Sequence, residues 1–403
     1  MKKISFAHKQ KVAFVASGGA IKAACFHIGV GLALEKKGLQ FVGGTLKQAK
    51  KSSGTNGNGS NGSKKIPIQT YVGSSAGSII ASLLASGFSL TEIIQSFLEQ
   101  EGARIPKVGY TDLFHLSRPN IRKYIKAFWP KKIGIGSGGL ETFVKNHLSF
   151  GGIFTTVGIE KYLREKALPT NKFEELTADL FIVATQLDHP NKSIFCKFKN
   201  LKPRPEHHAV FDNSVSISHA CAASTSLPPI YQPYPIGSGK ELTYYYDGEI
   251  RETLSTHVAK DVGCDLVIAS YTHQPYHYHP EIGSLADYGI ANVMIQAIYQ
   301  VIEQKIHSSR RLFQHKKMVL DTVNQFFKDN DLPDKKRAEL CDILEEKLKF
   351  NKNVDYLFIH PLSQDYQFFL SDHFNLSENY MIKIVRSGFK AAIHQLKNYE
   401  FQS

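Results

Sequence analysis

The sequence lacks the features that mark several classes of protein. No apolar run reaches the roughly 18 residues that a membrane-spanning helix needs. The five cysteines are scattered and form no CxxC pair, which argues against a disulfide framework or a cysteine-ligated zinc site and favours a reducing compartment. Acidic residues are fewer than basic ones, 36 against 49, and the formal net charge is +13. Because no nucleic-acid-binding motif accompanies this charge, we expect no nucleic-acid partner.

The first twenty residues open with basic side chains but hold only a short apolar run, which is interrupted at residues 8–11. A signal peptide needs a longer apolar segment, so we interpret this stretch as a leading arm followed by the first strand. We therefore expect a cytoplasmic protein, with peripheral contact at a membrane left open.

Short runs with the character of buried strands alternate with helical stretches along the chain. The helical stretch after the first run is closed by Gly38, a typical C-terminal cap. Alternation of this kind indicates an α/β fold with a mostly parallel central sheet covered by helices on both faces. The predicted strands span residues 11–17, 66–72, 180–187, 265–271 and 354–361.

The remaining segments define the expected organisation. Residues 47–65 contain no large apolar side chain, so we expect a disordered surface insertion there. Residues 284–350 are helical in pattern, with a turn at 329–336. We predict a core over residues 1–283, a helical insertion over 284–350, and a final strand and helix over 351–403 that return to the core.

A glycine–serine–glycine pattern, GSSAG, occupies residues 73–77 between a strand-like run and a helical run. At the end of a buried strand such a turn can push Ser75 out of the sheet, and Gly73 and Gly77 are needed because larger side chains would collide. The hydroxyl would then lie at a helix N-terminus, where backbone amides favour negative charge. The pattern predicts a nucleophilic serine, and a plain tight turn is the alternative.

Two further stretches could complete a hydrolase site. In SGGAIKAA, residues 17–24, the amides near Gly18 and Gly19 could face a reacting carbonyl oxygen, with Lys22 as a nearby positive charge. In TYYYDGEIRE, residues 243–252, Asp247 ends an aromatic strand and could accept the serine proton directly. Each stretch, taken alone, also fits an ordinary glycine turn.

In this order, SGGAIKAACFHIGVGLALEKKG, GSSAG and DGE resemble the motifs of the patatin-like phospholipase family. The alanine- and serine-rich stretch with its proline stop at residues 218–236 is similar to the segment that precedes the family's Asp-Gly pair. The resemblance runs from about Lys11 to Tyr271 and returns more weakly over 354–397. It implies a three-layer α/β/α fold with a mostly parallel sheet and, here, a helical C-terminal insertion.

The resemblance also implies a lipid acyl hydrolase of phospholipase A type, without a metal or cofactor, acting on phospholipid or other acyl esters. Ser75 would attack the ester carbonyl, and Asp247 would take and return its proton. The amides around Gly18, Gly19 and Ala20 would hold the oxyanion.

Several residues depart from the family's pattern. Ala20 and Ala23 stand where glycine is usual, Lys22 replaces the commoner arginine, and Glu249 replaces a small residue. A non-catalytic patatin-like scaffold that binds lipid or protein is therefore an alternative. A Ser-His-Asp esterase is a weaker one, because the Gly-Gly loop precedes the serine as it does in patatin-like chains.

Two other stretches leave alternatives open. Residues 120–136 mix basic and aromatic side chains, which suits either a lipid headgroup boundary or a packed helix with a solvated basic face. The spacing of three histidines within 272–281 could seat a metal, but we expect loop histidines at the edge of the sheet. The membrane interpretation would use Lys126, Phe128, Trp129, Lys131 and Lys132, and the histidines are His273, His277 and His279.

Overall fold

The computed structural model describes residues 3–52, 65–116, 152, 154–203, 207–228, 230–362 and 365–401. Within these ranges the strands are β1 Ile4–Ser5, β2 Val12–Ala16, β3 Leu39–Phe41, β4 Ile66–Ser74, β5 His115–Leu116, β6 Phe154–Thr155, β7 Asp179–Gln186, β8 Lys192–Phe195, β9 Ala209–Asp212, β10 Tyr234–Ile236, β11 Thr243–Asp247, β12 Leu266–Ser270, β13 Asp355–Ile359 and β14 Tyr399–Glu400. The α-helices are α1 Ala20–Lys36, α2 Leu46–Ser52, α3 Ala76–Ala85, α4 Leu90–Phe97, α5 Tyr110–Leu113, α6 Val157–Tyr162, α7 Ile217–Ser224, α8 Thr256–Asp261, α9 Gly289–Asp329, α10 Asp334–Leu348, α11 Tyr366–Leu370 and α12 Glu378–Gln395.

One ten-stranded sheet forms the centre of the described fold. Its main path runs β10-β11-β7-β4-β2-β12-β13, while β3 pairs with β4, and β8 pairs with both β7 and β9. The pairs from β7 through β13 along this path are parallel. The pairs β10–β11, β11–β7 and β7–β8 are antiparallel. The predicted α/β fold with a mostly parallel sheet is confirmed, and the structure adds an antiparallel region around β7 that periodicity did not reveal.

Helices cover both faces of this sheet because its strands are apolar at consecutive positions. In β2, Phe14 belongs to a core cluster with residues of α1, α3 and α12, whereas Val15 belongs to a second cluster with residues of α8 and α9. Successive side chains of a strand point to opposite faces, so one strand supplies both clusters. The arrangement confirms the three layers that the resemblance implied.

Several local signals in the sequence end or begin helices as expected. Gly38 follows α1 with φ of +100°, and Gly87 follows α3 with φ of +88°. Ser89 and Glu92 cap α4 reciprocally, each side chain accepting the other's backbone N–H. The predicted turn within 329–336 separates α9 from α10.

The prediction of disorder from residue 47 is wrong for its first six residues, which belong to α2. Gln48 Oε1 accepts the Thr45 amide and the Thr45 hydroxyl accepts the Gln48 amide, so the helix begins with a reciprocal cap. Lysine, glutamine and alanine are good helix formers, which is why this stretch folds without large apolar side chains. Residues 53–64 lie outside the described part of the chain.

Among the helices that the structure describes, none combines the length and apolar character needed to cross a bilayer.

The last long helix, α12, packs backbone to backbone against α1. A Cβ on Gly388 would overlap the carbonyl oxygen of Phe26, and a Cβ on Gly29 would overlap that of Val385. The two glycines therefore permit a crossing that any side chain would push apart. Because α1 begins directly after the Gly18-Gly19 turn, this crossing also fixes the helix on which that turn is mounted.

We predict that Gly388→Val destabilises the protein by about 1–3 kcal/mol or more, because the new side chain must separate two packed helices. Thermal unfolding measures the change. Lys390→Val is the matched control, since it places the same side chain on the exposed face of α12. Equal unfolding temperatures for the two variants would contradict the close crossing.

Candidate active site

The two residues predicted to form a dyad lie where two strands meet end to end along one edge of β7. In β7, residues 179–183 pair with β4 and residues 184–186 pair with β11, which runs in the opposite direction. Strand β8 pairs with residues 182–185 and overlaps both, so it must occupy the other edge. The end of β4, which leads into Ser75, therefore meets the end of β11, which is Asp247.

Ser75 lies in a strained turn between β4 and α3. Its φ of +50° and ψ of −129° are rare for a residue with a side chain, and such strain is typical of functional sites. A Cβ on Gly73 would meet the Gly77 carbonyl oxygen at 2.5 Å, and a Cβ on Gly77 would overlap the Ala16 carbonyl. Both glycines are therefore required by close backbone approach, as the sequence pattern predicted.

The C-terminal end of α7 forms hydrogen bonds with both the Ser75 turn and the end of β11. The Ser224 hydroxyl accepts the Ser75 amide at 2.8 Å and donates to the Val183 carbonyl at 2.6 Å. The Ser224 carbonyl accepts the Gly248 amide at 3.3 Å, and the Ser226 carbonyl accepts the Asp247 amide at 3.0 Å. Thus α7 fixes the serine turn and the aspartate strand relative to one another.

Asp247 is 1% exposed, so its carboxyl group is shielded from water. Burial raises the pKa of Asp247 to about 6, while hydrogen bonds with the Ser75 side chain and the Glu249 amide act to lower it. Glu249 N donates to Asp247 Oδ1 at 2.9 Å. A carboxylate with this pKa is ionised near neutral pH and is a stronger base than an exposed aspartate, which suits it to accept a hydroxyl proton.

The Gly18-Gly19 turn leads from β2 into α1 beside Ser75. A Cβ on Gly18 would lie 2.7 Å from Ser75 Cβ, so the loop and the serine are in direct contact. Gly19 has φ of +126° and Ala20 has φ of +56°, a conformation that favours glycine. Among the described residues, no hydrogen-bond acceptor is seen for the amides of Gly19 and Ala20.

Glu249 is a buried acid that the sequence analysis noted only as a departure from the family pattern. Its Oε1 accepts the Gly18 amide at 3.0 Å, and its Oε2 lies 4.0 Å from His273 Nδ1. Burial, followed by the negative charge of Asp247, raises the pKa of Glu249 to about 8. The Gly18 amide is thereby engaged, which leaves Gly19 and Ala20 as the loop's available donors.

Lys22 is engaged away from the serine. Its Nζ donates to the Phe368 carbonyl at 3.2 Å and lies over the rings of Phe368 and Tyr299, at 5.0 and 5.9 Å from their centroids. Burial lowers the pKa of Lys22 to about 7, and the charge of Asp372 acts in the opposite direction. The contact of Lys22 with an anion stays a prediction.

The histidines do not join the dyad. Within the described ranges, no hydrogen bond links a histidine to Ser75 or Asp247, and no three His, Cys, Asp or Glu side chains gather as a metal site. His273 is buried and packs edge-on against Tyr299, whereas Nδ1 of His279 accepts the Glu281 amide in its own loop. The predicted membrane-contact residues between 126 and 132 lie outside the described residues.

Sequence analysis missed two supporting groups, Ser224 and Glu249. Ser224 was within the quoted alanine- and serine-rich stretch, but nothing in its spacing singles it out from the neighbouring serines. Glu249 could have been found by asking what an acidic side chain two positions after a general base would contact.

Comparison with known proteins identifies the family of the chain. A sequence model of the patatin-like phospholipase family matches residues 14–260, which is more than half of the chain. Among solved structures, VipD from Legionella pneumophila is similar over 96% of this chain and 67% of its own, with 12% sequence identity and a TM-score of 0.36, a likeness too weak to carry an argument. No match was found among curated protein sequences.

The matched stretch includes the Gly18-Gly19 turn, the Ser75 elbow and Asp247 in the order that the resemblance led us to expect. It also includes the strands that bring them together, from the last three residues of β2 to β11. The chain therefore belongs to the patatin-like phospholipase family, whose members are lipid acyl hydrolases.

Proposed function

We propose that the protein is a phospholipase A-type hydrolase that cleaves carboxylic esters through an acyl-enzyme on Ser75, with Asp247 as the general base. The observation that carries the proposal is that β4 and β11 end beside one another on β7, which brings Ser75 and the buried Asp247 together beside the Gly18-Gly19 turn. The substrate would be a phospholipid or another acyl ester, and the residues described provide each group that the reaction needs.

The proposed reaction proceeds in two halves. In the first, Asp247 takes the Ser75 hydroxyl proton as Oγ attacks the ester carbonyl, and the amides of Gly19 and Ala20 receive the developing oxyanion. The tetrahedral intermediate collapses when the ester C–O bond breaks, and the proton passes from Asp247 to the leaving alcohol. In the second half, water attacks the acyl-enzyme, Asp247 takes its proton, and the fatty acid leaves as Ser75 regains its hydrogen.

The strained conformation of Ala20 gives only partial support to the alternative that the protein is a non-catalytic scaffold. A left-handed alanine costs about 1 kcal/mol relative to glycine, but its amide is still a donor. Strain at this position therefore affects stability more directly than it affects the chemistry.

We predict that a fluorophosphonate probe labels Ser75, and that Ser75→Ala lowers ester turnover by about 10³-fold or more. Asp247→Asn should lower turnover by about 10²–10⁴-fold, because the amide cannot take the proton. Probe labelling with peptide mapping, together with turnover of phospholipid and of a short-chain ester, measures both effects.

Asp188→Asn is the matched control for the loss of an aspartate charge, since Asp188 is exposed after β7. Labelling of another serine, or full turnover by folded Asp247→Asn, would reject the dyad. A folded wild-type protein that neither labels nor turns over any ester would support the scaffold alternative, and a histidine variant as inactive as Ser75→Ala would support the esterase alternative.

We predict a bell-shaped dependence of kcat/KM on pH. Activity should rise as Asp247 loses its proton, around pH 6, because only the ionised carboxylate accepts the serine proton. It should fall around pH 8 as Glu249 ionises, because a negative charge would then lie beside the oxyanion loop. Steady-state kinetics from about pH 5 to about pH 10 measures this profile.

The Glu249→Gln variant distinguishes the acidic limb of this pH profile from its alkaline limb. Glutamine can still accept the Gly18 amide but cannot ionise, so the alkaline fall should disappear while the acid limb remains. Glu241→Gln, at an exposed position, is the control. An unchanged alkaline limb in Glu249→Gln would mean that another group causes it.

A further inference from the structure

The long helix α9 is apolar on two sides, and only one of them is covered. Its inner side buries Ile302, Ile306 and Leu320 against other parts of the protein. Its outer side carries a stripe of apolar side chains, each between 38% and 57% exposed, at positions that recur on one helical face. The members of this outer stripe are Met294, Ile298, Val301, Leu312 and Val319.

The outer stripe is cationic as well as apolar. Lys305 and Lys316 fall on the same face, four positions after Val301 and Leu312, and Arg311 and His315 lie beside it. Two of the three acidic residues of α9, Glu303 and Asp321, follow Met294 and Leu312 by nine positions, which places them about half a turn away; the third, Asp329, ends the helix on the same line as Arg311. Apolar side chains among cations suit insertion at the headgroup boundary of an anionic bilayer.

The outer stripe also runs beside the loop that carries the acidic residues of the site. Lys305 Nζ donates to the Ile250 carbonyl at 3.4 Å, and its charge acts on the neighbouring Glu249. Ile250 itself is 39% exposed. A lipid surface that met the outer stripe would therefore lie next to the segment that follows Asp247.

We propose that the outer stripe of α9 docks the protein on an anionic lipid surface. The purpose of docking rests on the proposed function, whereas the test of binding does not. A second copy of the chain fits the stripe less well, because pairing two such faces would bring lysines together without any carboxylate from this face to neutralise them. A bilayer supplies both an apolar layer for the aliphatic side chains and negative headgroups for the lysines.

The test compares Ile298→Gln/Val301→Gln with Leu340→Gln/Ile343→Gln, which removes two exposed apolar side chains from α10 instead. Sedimentation with vesicles of phosphatidylcholine, with and without phosphatidylserine, measures binding. Turnover of vesicle phospholipid and of a monomeric short-chain ester measures activity. Glutamine is a good helix former, so α9 should persist in the variant, and circular dichroism checks this.

We expect the wild-type protein to bind the anionic vesicles more tightly and to release them as salt is added. The α9 variant should bind about tenfold or more weakly, with vesicle turnover reduced in proportion and short-chain ester turnover unchanged. The α10 variant should behave as the wild type does.

Three results would overturn the docking proposal: equal vesicle binding by the α9 variant and the wild type, equal losses in both variants, or a wild-type dimer in solution that only the α9 variant dissociates. Vesicle binding that depends on the outer stripe, without turnover of either ester, would support docking and reject the proposed hydrolase. The two proposals therefore fail separately.

Discussion

The candidate site depends on the way in which β7 shares one of its edges between two strands. Strand β4 pairs along the first part of that edge and β11 along the rest, from opposite directions. Backbone hydrogen bonds thereby set the separation of two side chains that are far apart in sequence. The end of α7 reinforces this through Ser224 and Ser226, which bind the backbone amides of Ser75 and Asp247 and so fix the two residues relative to one another.

Glu249 links the two loops that the reaction would use. Its backbone amide donates to the Asp247 carboxylate, and its own carboxyl group accepts the Gly18 amide. One residue thus connects the proposed base to the proposed oxyanion loop. Burial raises the pKa of both carboxyl groups, and the negative charge of Asp247 raises that of Glu249 further, so the two pKa values lie apart.

Most of the fold could be predicted from the sequence because strands such as β2, β7 and β12 are largely apolar runs and several helix ends carry a local signal, such as Gly38 or the Ser89–Glu92 cap. The antiparallel course of β11 could not be predicted, because strand direction depends on pairing with β7 rather than on residue type. The Ser75 turn could be predicted because its glycine spacing is a local pattern, although the close contact that requires Gly77 comes from Ala16 of the neighbouring strand β2. The roles of Ser224 and Glu249, and the engagement of Lys22 by Phe368, depend on residues brought together from distant segments.

The crossing of α1 and α12 at Gly29 and Gly388 has a consequence for the order of biosynthesis. Helix α1 begins at the oxyanion loop, yet it packs against a helix made more than 350 residues later. A nascent chain on the ribosome therefore exposes the inner face of α1 until α12 has emerged. The helix that carries the Gly18-Gly19 turn should consequently reach its packed position only after α12 has left the ribosome.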